Sequence, residues 1–510
     1  MEFKLTEEAI RCSNVIFEGA CEQPVDCEIL LPDYCPDISR ILKCQITPKI
    51  TSARQGEGKL AMEGSVKIKI LYVNEEQIIH CHDQFMAFSC SVALKDDMAG
   101  DCVRTGVKVQ YVNCHAVNQR KLDIHGAFTV TAKVSGAVEA RAVTHIEGKN
   151  LELRKQEVRT SRYVGEVQKT LTLTETLELS TGKPTVESLV RTSAAARVDD
   201  VKTIAGKAIV KGEVLLKALY MSDKSTGEMD SMEFSVPLSS VLDFEGLDEN
   251  CTTGVTLEVI DADLVVKYDN EGEGRLLQAD IRVLMIAAAY TDMEMTVIED
   301  LYSTEFTMET AERSVQTTAI LGRVNEVVVA KDTFALPEEG VTKIIDVWAE
   351  PMAGSRQEID NDEIVFSGQN NICLLALDGN GSPVYYERAS DWEYRMKSQQ
   401  LFGIIQSDVN GTVLQTSFSL TGQQVEIRNE IGLTALVMGT QTHRTVESVV
   451  AGDKLDKESC GGLIIYYAEA GEEIWSIAKK YRTSGHLILG ENELVSDTVD
   501  KSQMLLIPIC

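Results

Sequence analysis

The feature of this 510-residue sequence that most constrains its fold is an internal repeat of domain size. Three segments share a pattern in which a glycine precedes an apolar run and then a polar turn: 60–72, 208–220 and 364–376. Their glycines, Gly64, Gly212 and Gly368, lie about 150 residues apart, which is the usual size of one domain. The spacing therefore predicts three similar units in tandem.

Two further landmarks recur in the same order around these glycines. A proline-containing segment lies upstream of each glycine, at 31–42, 179–190 and 336–337. A strand-like segment lies downstream of each, at 124–130, 277–283 and 427–433. Matching order and distance at three landmarks divide the chain into three repeats: 1–157, 158–310 and 311–450.

The pattern within the repeats is mostly one of alternation. Residues 121–134 place apolar side chains such as Leu122, Ile124 and Phe128 at every second position, which is typical of a strand with one buried face. Long helical patterns are scarce before residue 460. We therefore expect a mainly β protein of three tandem antiparallel, sandwich-like units. The three aligned glycines should lie at equivalent strand starts or bulges, where a side chain is not tolerated.

Charge and hydropathy exclude several function classes. The chain has 49 Lys and Arg against 79 Asp and Glu, which gives a net charge of −30. Phosphate backbones and anionic membrane surfaces both attract cationic proteins, so we expect neither nucleic-acid binding nor membrane insertion. The N-terminal stretch lacks a basic start followed by an apolar run, and the apolar run at 283–290 is too short for a bilayer. We expect a cytosolic protein whose partners are proteins or neutral glycans.

The last fifty residues follow a different pattern. Residues 451–462 are polar and end in glycines, which predicts a flexible linker. The segment 463–510 then shows a short strand, two short helices and a closing strand. Ile474, Ile477, Ala478 and Tyr481 share one helix face and are expected in a core. Trp475 lies one position off that face, where a tryptophan is also a candidate contact residue.

This C-terminal segment resembles the LysM module. The matching residues are Tyr467, Gly471, Asn492, the stretch 474–481 and the closing 506–508. In that family, the ligand lies in a groove between the first strand–helix loop and the second helix–strand loop. The resemblance therefore implies a partner-binding groove formed by Gly471, Glu472, Glu473, Ile474, Trp475, Asn492 and Leu494.

The groove departs from the glycan-binding pattern of the family in both loops. Glycan-binding members favour Gly-Asp-Thr where this chain has Gly471-Glu472-Glu473, and the usual Pro-Gly-Gln is replaced by Lys501-Ser502-Gln503. Two adjacent carboxylates are a poor cradle for neutral sugar amides. The departures favour a protein ligand over a peptidoglycan ligand.

The upstream landmark at 31–42 resembles the SPOCS domain of endospore-forming bacteria. SPOCS repeats followed by one LysM module are the arrangement of SipL-type spore coat morphogenetic proteins. The resemblance implies a scaffold in the mother-cell cytoplasm, at the outer forespore surface. It also implies that LysM binds the coat-basement ATPase, the stage IV sporulation protein A. One alternative is a wall-associated protein whose LysM reads peptidoglycan, and another is a SPOCS protein whose LysM is vestigial.

No catalytic motif or cofactor site is evident in the sequence. Residues 56–59 lack the spacing of a phosphate-binding loop, and a repeat protein offers no single cleft, so we expect no enzyme activity and no cofactor. Histidines and cysteines of repeat 1 form the one candidate metal cluster: Cys35, Cys44, His80, Cys81, His82, Cys114 and His115. Their spacing fits no common metal site, so we expect reduced thiols in a core and no metal.

Overall fold

The computed structural model describes residues 3–56, 58–94, 100, 102–336, 340–352, 354–397, 404–422, 424–455 and 462–509. Most of these residues lie in antiparallel strands, and the described part of the chain contains two short helices, both near its C-terminal end. The prediction of a mainly β, antiparallel protein is confirmed. Neither helix has the length and apolar composition that a membrane crossing requires.

The first module is made of six strands in two antiparallel sheets. The strands are β1 (Lys4–Leu30), β2 (Arg40–Gly56), β3 (Lys59–Val73), β4 (Ile79–Ala93), β5 (Cys102–Ala116) and β6 (Lys121–Glu147). One sheet has the order β1-β6-β5 and the other the order β2-β3-β4. Alternate residues of β3 and β6, among them Ile68 and Phe128, are buried in a single core that both sheets share. The alternation seen in the sequence thus buries one face of each sheet.

The second module repeats this arrangement strand for strand. Its strands are β7 (Leu151–Glu178), β8 (Ser188–Ile204), β9 (Lys207–Asp223), β10 (Glu228–Asp243), β11 (Thr252–Lys267) and β12 (Leu276–Ser303). The sheets have the orders β11-β12-β7 and β10-β9-β8, which match those of the first module. Their facing sides again enclose one core.

The third module keeps the order but breaks two of the strands. Its strands are β13 (Phe306–Ala335), β14 (Val341–Pro351), β15 (Arg356–Asp360), β16 (Glu363–Asp378), β17 (Pro383–Lys397), β18 (Ile404–Ser407), β19 (Asn410–Thr421) and β20 (Gln424–Lys454). Both β14 and β15 pair with β16, where a single strand pairs in the other modules. In the same way, β18 and β19 together pair with β20.

The chain passes between modules in short turns at 148–150 and 304–305. The divisions placed after 157 and 310 in the sequence therefore fall inside β7 and β13. Both strands begin several residues before those divisions, at Leu151 and at Phe306. The first module boundary therefore lies at the turn that contains Gly148 and Asn150, residues typical of turns.

The three aligned glycines occupy the same position, the sixth residue of β3, β9 and β16. They lie inside the central strand and not at its start, and the irregularity lies in the neighbouring strand. Gly64 pairs with Ile50 and Gly212 with Val198, each at a bulge, and Gly368 lies opposite the break between β14 and β15. In all three repeats, the pairing between the central strand and the strand before it is therefore interrupted at this glycine.

No side chain fits at these glycines. A Cβ atom on Gly64 would lie 2.1 Å from the carbonyl oxygen of Lys49, and one on Gly212 would lie 2.3 Å from that of Arg197. At Gly368, the indole of Trp392 would be 2.5 Å away. The predicted intolerance of a side chain therefore has a steric cause in all three modules.

The proline landmark is a loop that a tyrosine of the central strand holds in place. Tyr72 O–H donates to the carbonyl of Pro36, and Tyr220 O–H donates to that of Pro184, both at 3.2 Å. Both tyrosines are fully buried. The equal spacing of proline and glycine in the two repeats therefore reflects a contact between the loop and the strand that follows the glycine.

Each module contacts both of the others. The antiparallel strand pairs β1–β6, β7–β12 and β13–β20 are long, and their outer halves pack together, with Val143, Ile298 and Val446 in one cluster. The short sheets also meet, because the equivalent residues Leu71, Leu219 and Leu375 are buried in one cluster. Equivalent strands of the three modules therefore meet around a common axis within the one chain.

Charged side chains of all three modules meet beside a central cavity of about 450 Å³. Arg104 of the first module forms ion pairs with Glu166 of the second (2.8 Å) and Asp408 of the third (2.7 Å). Burial and the adjacent Glu166 carboxylate raise the pKa of Cys102 to about 12. The protonated thiol donates to Glu166 Oε1 at 2.7 Å.

The C-terminal unit has the predicted strand–helix–helix–strand order. Its elements are β21 (Gly462–Ala468), α1 (Ile474–Tyr481), α2 (Gly485–Glu491) and β22 (Gln503–Ile509), and β21 and β22 pair antiparallel. The predicted flexible linker is wrong in its first part, because Ala451 to Lys454 continue β20. Ala451 pairs with Met308 and Lys454 with Phe306 of β13. Polar composition there reflects an exposed strand face. Residues 456–461 lie outside the described part.

Candidate functional site: the C-terminal unit

The two loops predicted to form a groove do meet in the structure. Gly471 N–H donates to the carbonyl of Val499 at 2.7 Å, and Ile474 N–H donates to that of Asp497 at 2.8 Å. Val499 N–H donates in turn to the carbonyl of Glu472. These backbone bonds join the loop before α1 to the loop before β22, so the residues of both loops form one surface.

Three of the predicted groove residues serve the internal structure of the unit. Ile474 is 2% exposed and lies in the core, and Leu494 packs against the same core. The Asn492 side chain donates to the carbonyls of Ile488 and Leu506 and accepts from Leu506 N–H at 2.7 Å. Asn492 thereby ties the end of α2 to β22. Substitution at these positions would report on folding before it reported on binding.

Gly471 and Glu472 form the more open part of the groove. Gly471 has φ of +91°, a conformation that glycine adopts without strain. The Glu472 carboxylate accepts from Tyr466 O–H at 2.9 Å and from Glu469 N–H at 3.1 Å. Glu472 lies two residues before α1, which begins at Ile474, and these two bonds hold its carboxylate within the loop.

Glu473 and Trp475 face the second module. Glu473 lies at the start of α1 without capping it, and its carboxylate binds Arg154 of β7, with 2.7 Å between Oε2 and Nη1. The hydrogen bond from Arg154 to Glu473 raises the pKa of the guanidinium. Trp475 Nε1–H donates to Asp300 of β12 at 2.9 Å. Trp475, the candidate contact residue, thus makes a contact within the chain.

Asp300 is the centre of this contact. Its carboxylate also accepts from Lys479 Nζ at 2.7 Å, so one side chain of β12 binds two residues of α1. Burial acts to raise the pKa of Asp300, but the hydrogen bonds and charge of Lys479 and the bond from Trp475 outweigh it, and the pKa is lowered. Asp300 therefore stays ionised where it meets the helix.

Tyr302 of β12 completes the docking surface. Its side chain is fully buried, and its ring centroid lies 5.0 Å from that of Trp475 in an edge-to-face arrangement. Its O–H donates to the carbonyl of Thr483 at 2.7 Å. Sequence reasoning missed Arg154, Asp300 and Tyr302, since nothing in the alternating pattern of β7 or β12 marks them as contacts of a segment so distant in the chain.

The outer face of the β21–β22 pair is apolar and exposed. Leu463, Ile465 and Tyr467 alternate along β21, and Met504 lies opposite Tyr467 on β22. All four side chains are exposed, Tyr467 to 76%. The sequence reasoning did not single out this face, although the alternation of Leu463, Ile465 and Tyr467 is visible there.

Comparison with known proteins assigns the first two modules. The family model of the SipL SPOCS domain matches residues 37–117 and 185–267. These ranges cover the same four strands in each module, β2–β5 and β8–β11. The first two modules are SPOCS domains of the SipL type. The match connects this chain with sporulation. No curated protein and no solved structure matches the chain.

Some of the histidines and cysteines considered as metal ligands lie close to one another in the first SPOCS module. Cys35 Sγ lies 4.0 Å from His82 Nδ1, and His80 packs against the ring of Tyr72. Burial lowers the pKa of both histidines, which favours their neutral form. Within the described ranges, no group of three or more His, Cys, Asp or Glu side chains is arranged to hold a metal ion. The cysteines described are free thiols.

Proposed function

We propose that this SPOCS protein is a non-enzymatic scaffold in endospore coat assembly. It works in the mother-cell cytoplasm at the outer forespore surface, where its LysM-like C-terminal unit binds the coat-basement ATPase, the stage IV sporulation protein A. The SPOCS match supports the sporulation context. The resemblance of 463–510 to LysM, with its strand–helix–helix–strand order, supports the binding role.

The observation that carries the binding role is the apolar outer face of β21 and β22. Four exposed apolar side chains, Leu463, Ile465, Tyr467 and Met504, stand on one small sheet face. Exposed apolar patches of this kind usually mark interaction sites, and aromatic and methionine side chains are enriched in protein interfaces. The aliphatic members offer no hydrogen bonds to sugar hydroxyls or amides, so the face suits a protein partner better than a glycan.

Docking on the second module leaves this face available. Glu473, Trp475 and Lys479 point to Arg154 and Asp300, which lie on the module, whereas the outer side of β21 remains exposed. The unit is therefore presented in a fixed orientation. Of the groove residues, Gly471 and Glu472 remain candidates for partner contact.

The experiment measures binding of the full-length protein to the purified ATPase. We expect Ile465→Lys to weaken binding about 30-fold or more, because a charge in the centre of an apolar contact removes a hot spot. Leu487→Lys is the matched control, since Leu487 is also an exposed apolar residue but lies on α2. Glu472→Lys tests the groove in the same assay.

Each outcome assigns or rejects a surface. Loss of binding with Glu472→Lys alone would move the contact to the groove. Equal binding after deletion of 462–510 would reject the proposed role of the unit. Retention of the unmutated protein on purified peptidoglycan, with no binding to the ATPase, would support the glycan-reading alternative. A fluorescent fusion that fails to gather at the forespore would contradict the proposed location.

A further inference from the structure

The first SPOCS module brings four of its cysteines together in two pairs across its core. β2 packs on β5 and β1 packs on β4 across this core, and Cys44, Cys90 and Cys114 lie against its buried cluster. Gly19, two residues before Cys21, lies beside Val92, two residues after Cys90. The Cys44 and Cys114 thiols on β2 and β5 interact there, as do the Cys90 and Cys21 thiols on β4 and β1. β1 and β5 belong to one sheet, and β2 and β4 belong to the other. Each pair therefore spans the space between the two sheets.

The fold does not require these pairs. The strand register places Thr192 and Val266 of the second module where Cys44 and Cys114 lie in the first. In the same way, Leu171 and Ser240 replace Cys21 and Cys90. A module of the same topology thus forms without a thiol at any of the four positions, and the pairs are a property of the first module alone in this comparison.

The four thiols are placed for reaction with a small molecule. All four are half-buried, so they are neither sealed in the core nor fully exposed. The hydrogen bond from Cys44 lowers the pKa of Cys114, which increases the thiolate fraction at that sulfur. Burial, together with the neighbouring Cys21 thiol, raises the pKa of Cys90 to about 11.

We propose that the first module carries two latent disulfides, Cys44–Cys114 and Cys21–Cys90, that form on contact with a low-molecular-weight disulfide and lock its two sheets together. In each pair, one thiolate attacks a sulfur of the oxidant, forms a mixed disulfide and releases one oxidant thiol. The second cysteine loses its proton and attacks the mixed disulfide, which releases the other oxidant thiol. The protein loses two hydrogens per bond, and the oxidant is reduced to two thiols.

The two disulfides would stabilise the first module mainly by restricting its unfolded state. Each bond closes a loop of about 70 residues, which removes much of the conformational freedom of the unfolded chain. Because each bond joins opposite sheets, it would also keep strands of the two sheets close together in the unfolded chain. The second and third modules would keep their stability, since their strands receive no cross-link.

The test exposes the purified, reduced full-length protein to oxidised glutathione. We expect the loss of four free thiols without dimer formation, and peptide mapping without reductant should show Cys44–Cys114 and Cys21–Cys90. The midpoint of thermal unfolding should rise by about 5 °C and return to its reduced value with dithiothreitol.

Matched variants separate the two bonds. Cys44→Ser should retain only the Cys21–Cys90 bond, and Cys21→Ser only the Cys44–Cys114 bond. Cys12→Ser, at another half-buried cysteine of β1, should leave both bonds and the thermal shift unchanged. Thiols that stay open to alkylation, a bond from Cys27 to Cys114, or bonds only between chains would overturn the proposal.

Discussion

At the scale of single residues, the sheets depend on positions where the backbone of one strand leaves no room beside its neighbour. Gly64 lies opposite a bulge of β2, and the bulge turns the carbonyl of Lys49 towards the space that a side chain would fill. The same clash recurs at Gly212. The glycine and the bulge are therefore one feature, shared between two strands.

Gly64→Ala should destabilise the first module. The added methyl group must displace a backbone carbonyl, and overpacking of this kind costs about 1–3 kcal/mol. The expected result is a lower midpoint of thermal unfolding, measured by circular dichroism. Gly56→Ala is the matched control, because a Cβ on Gly56 meets nothing within 4 Å. An equal midpoint for the two variants would show that β2 relaxes freely around the bulge.

At the scale of elements, helix α1 uses two faces. Ile474, Ile477 and Ala478 are buried in the core of the C-terminal unit. Trp475 and Lys479 are one turn apart, and both reach Asp300 of the second module. A helix of eight residues gains little stability by itself, so packing on both sides is what fixes its position.

Asp300→Asn should loosen the contact between α1 and the second module. The amide still accepts a bond from Trp475, but the ionic bond to Lys479 is lost, at about 1–2 kcal/mol because Lys479 is partly exposed to solvent. Hydrogen–deuterium exchange should increase in peptides that cover α1 and the end of β12. Asp500→Asn, an exposed carboxylate of the same unit, is the control. Unchanged exchange at α1 would show that the Tyr302 contact suffices.

At the scale of the whole molecule, the three modules act as one body. Their long strand pairs pack together at one end and their short sheets at the other. Between these ends, Glu166 is held by Arg104 and Cys102, and Arg104 also binds Asp408. The Glu166 side chain is only 6% exposed. Removal of its charge would leave Arg104 with one carboxylate partner, Asp408, in place of two.

Glu166→Gln should therefore weaken the joint between all three modules. Loss of one partner from a buried ion pair costs about 3–5 kcal/mol, and Asp408 retains part of the interaction with Arg104. We expect a lower calorimetric unfolding temperature and less cooperative unfolding of the modules. The control is Glu157→Gln on the same strand, at an exposed position. If both variants unfold alike, the network does not couple the modules.

The sequence by itself determined the local structure of this protein. Alternation at 121–134 predicted β6, the helical spacing at 474–481 predicted α1, and the aligned glycines predicted equivalent positions that admit no side chain. These features are readable because a strand or helix places neighbouring residues on faces whose period the sequence must match. The two loops of the C-terminal unit also meet through backbone hydrogen bonds, and their role as a binding groove stays a prediction.

Only the tertiary structure decided how the units meet. The packing of Trp475 on Asp300 and Tyr302, and the thiol pairs across the first module, join residues that are distant in the chain. Their partners depend on how sheets and modules are placed in space, and no residue near Asp300 or Cys44 carries a pattern that marks its partner. A strand pattern specifies which face is buried, but the surface that buries it is chosen by the arrangement of the whole chain.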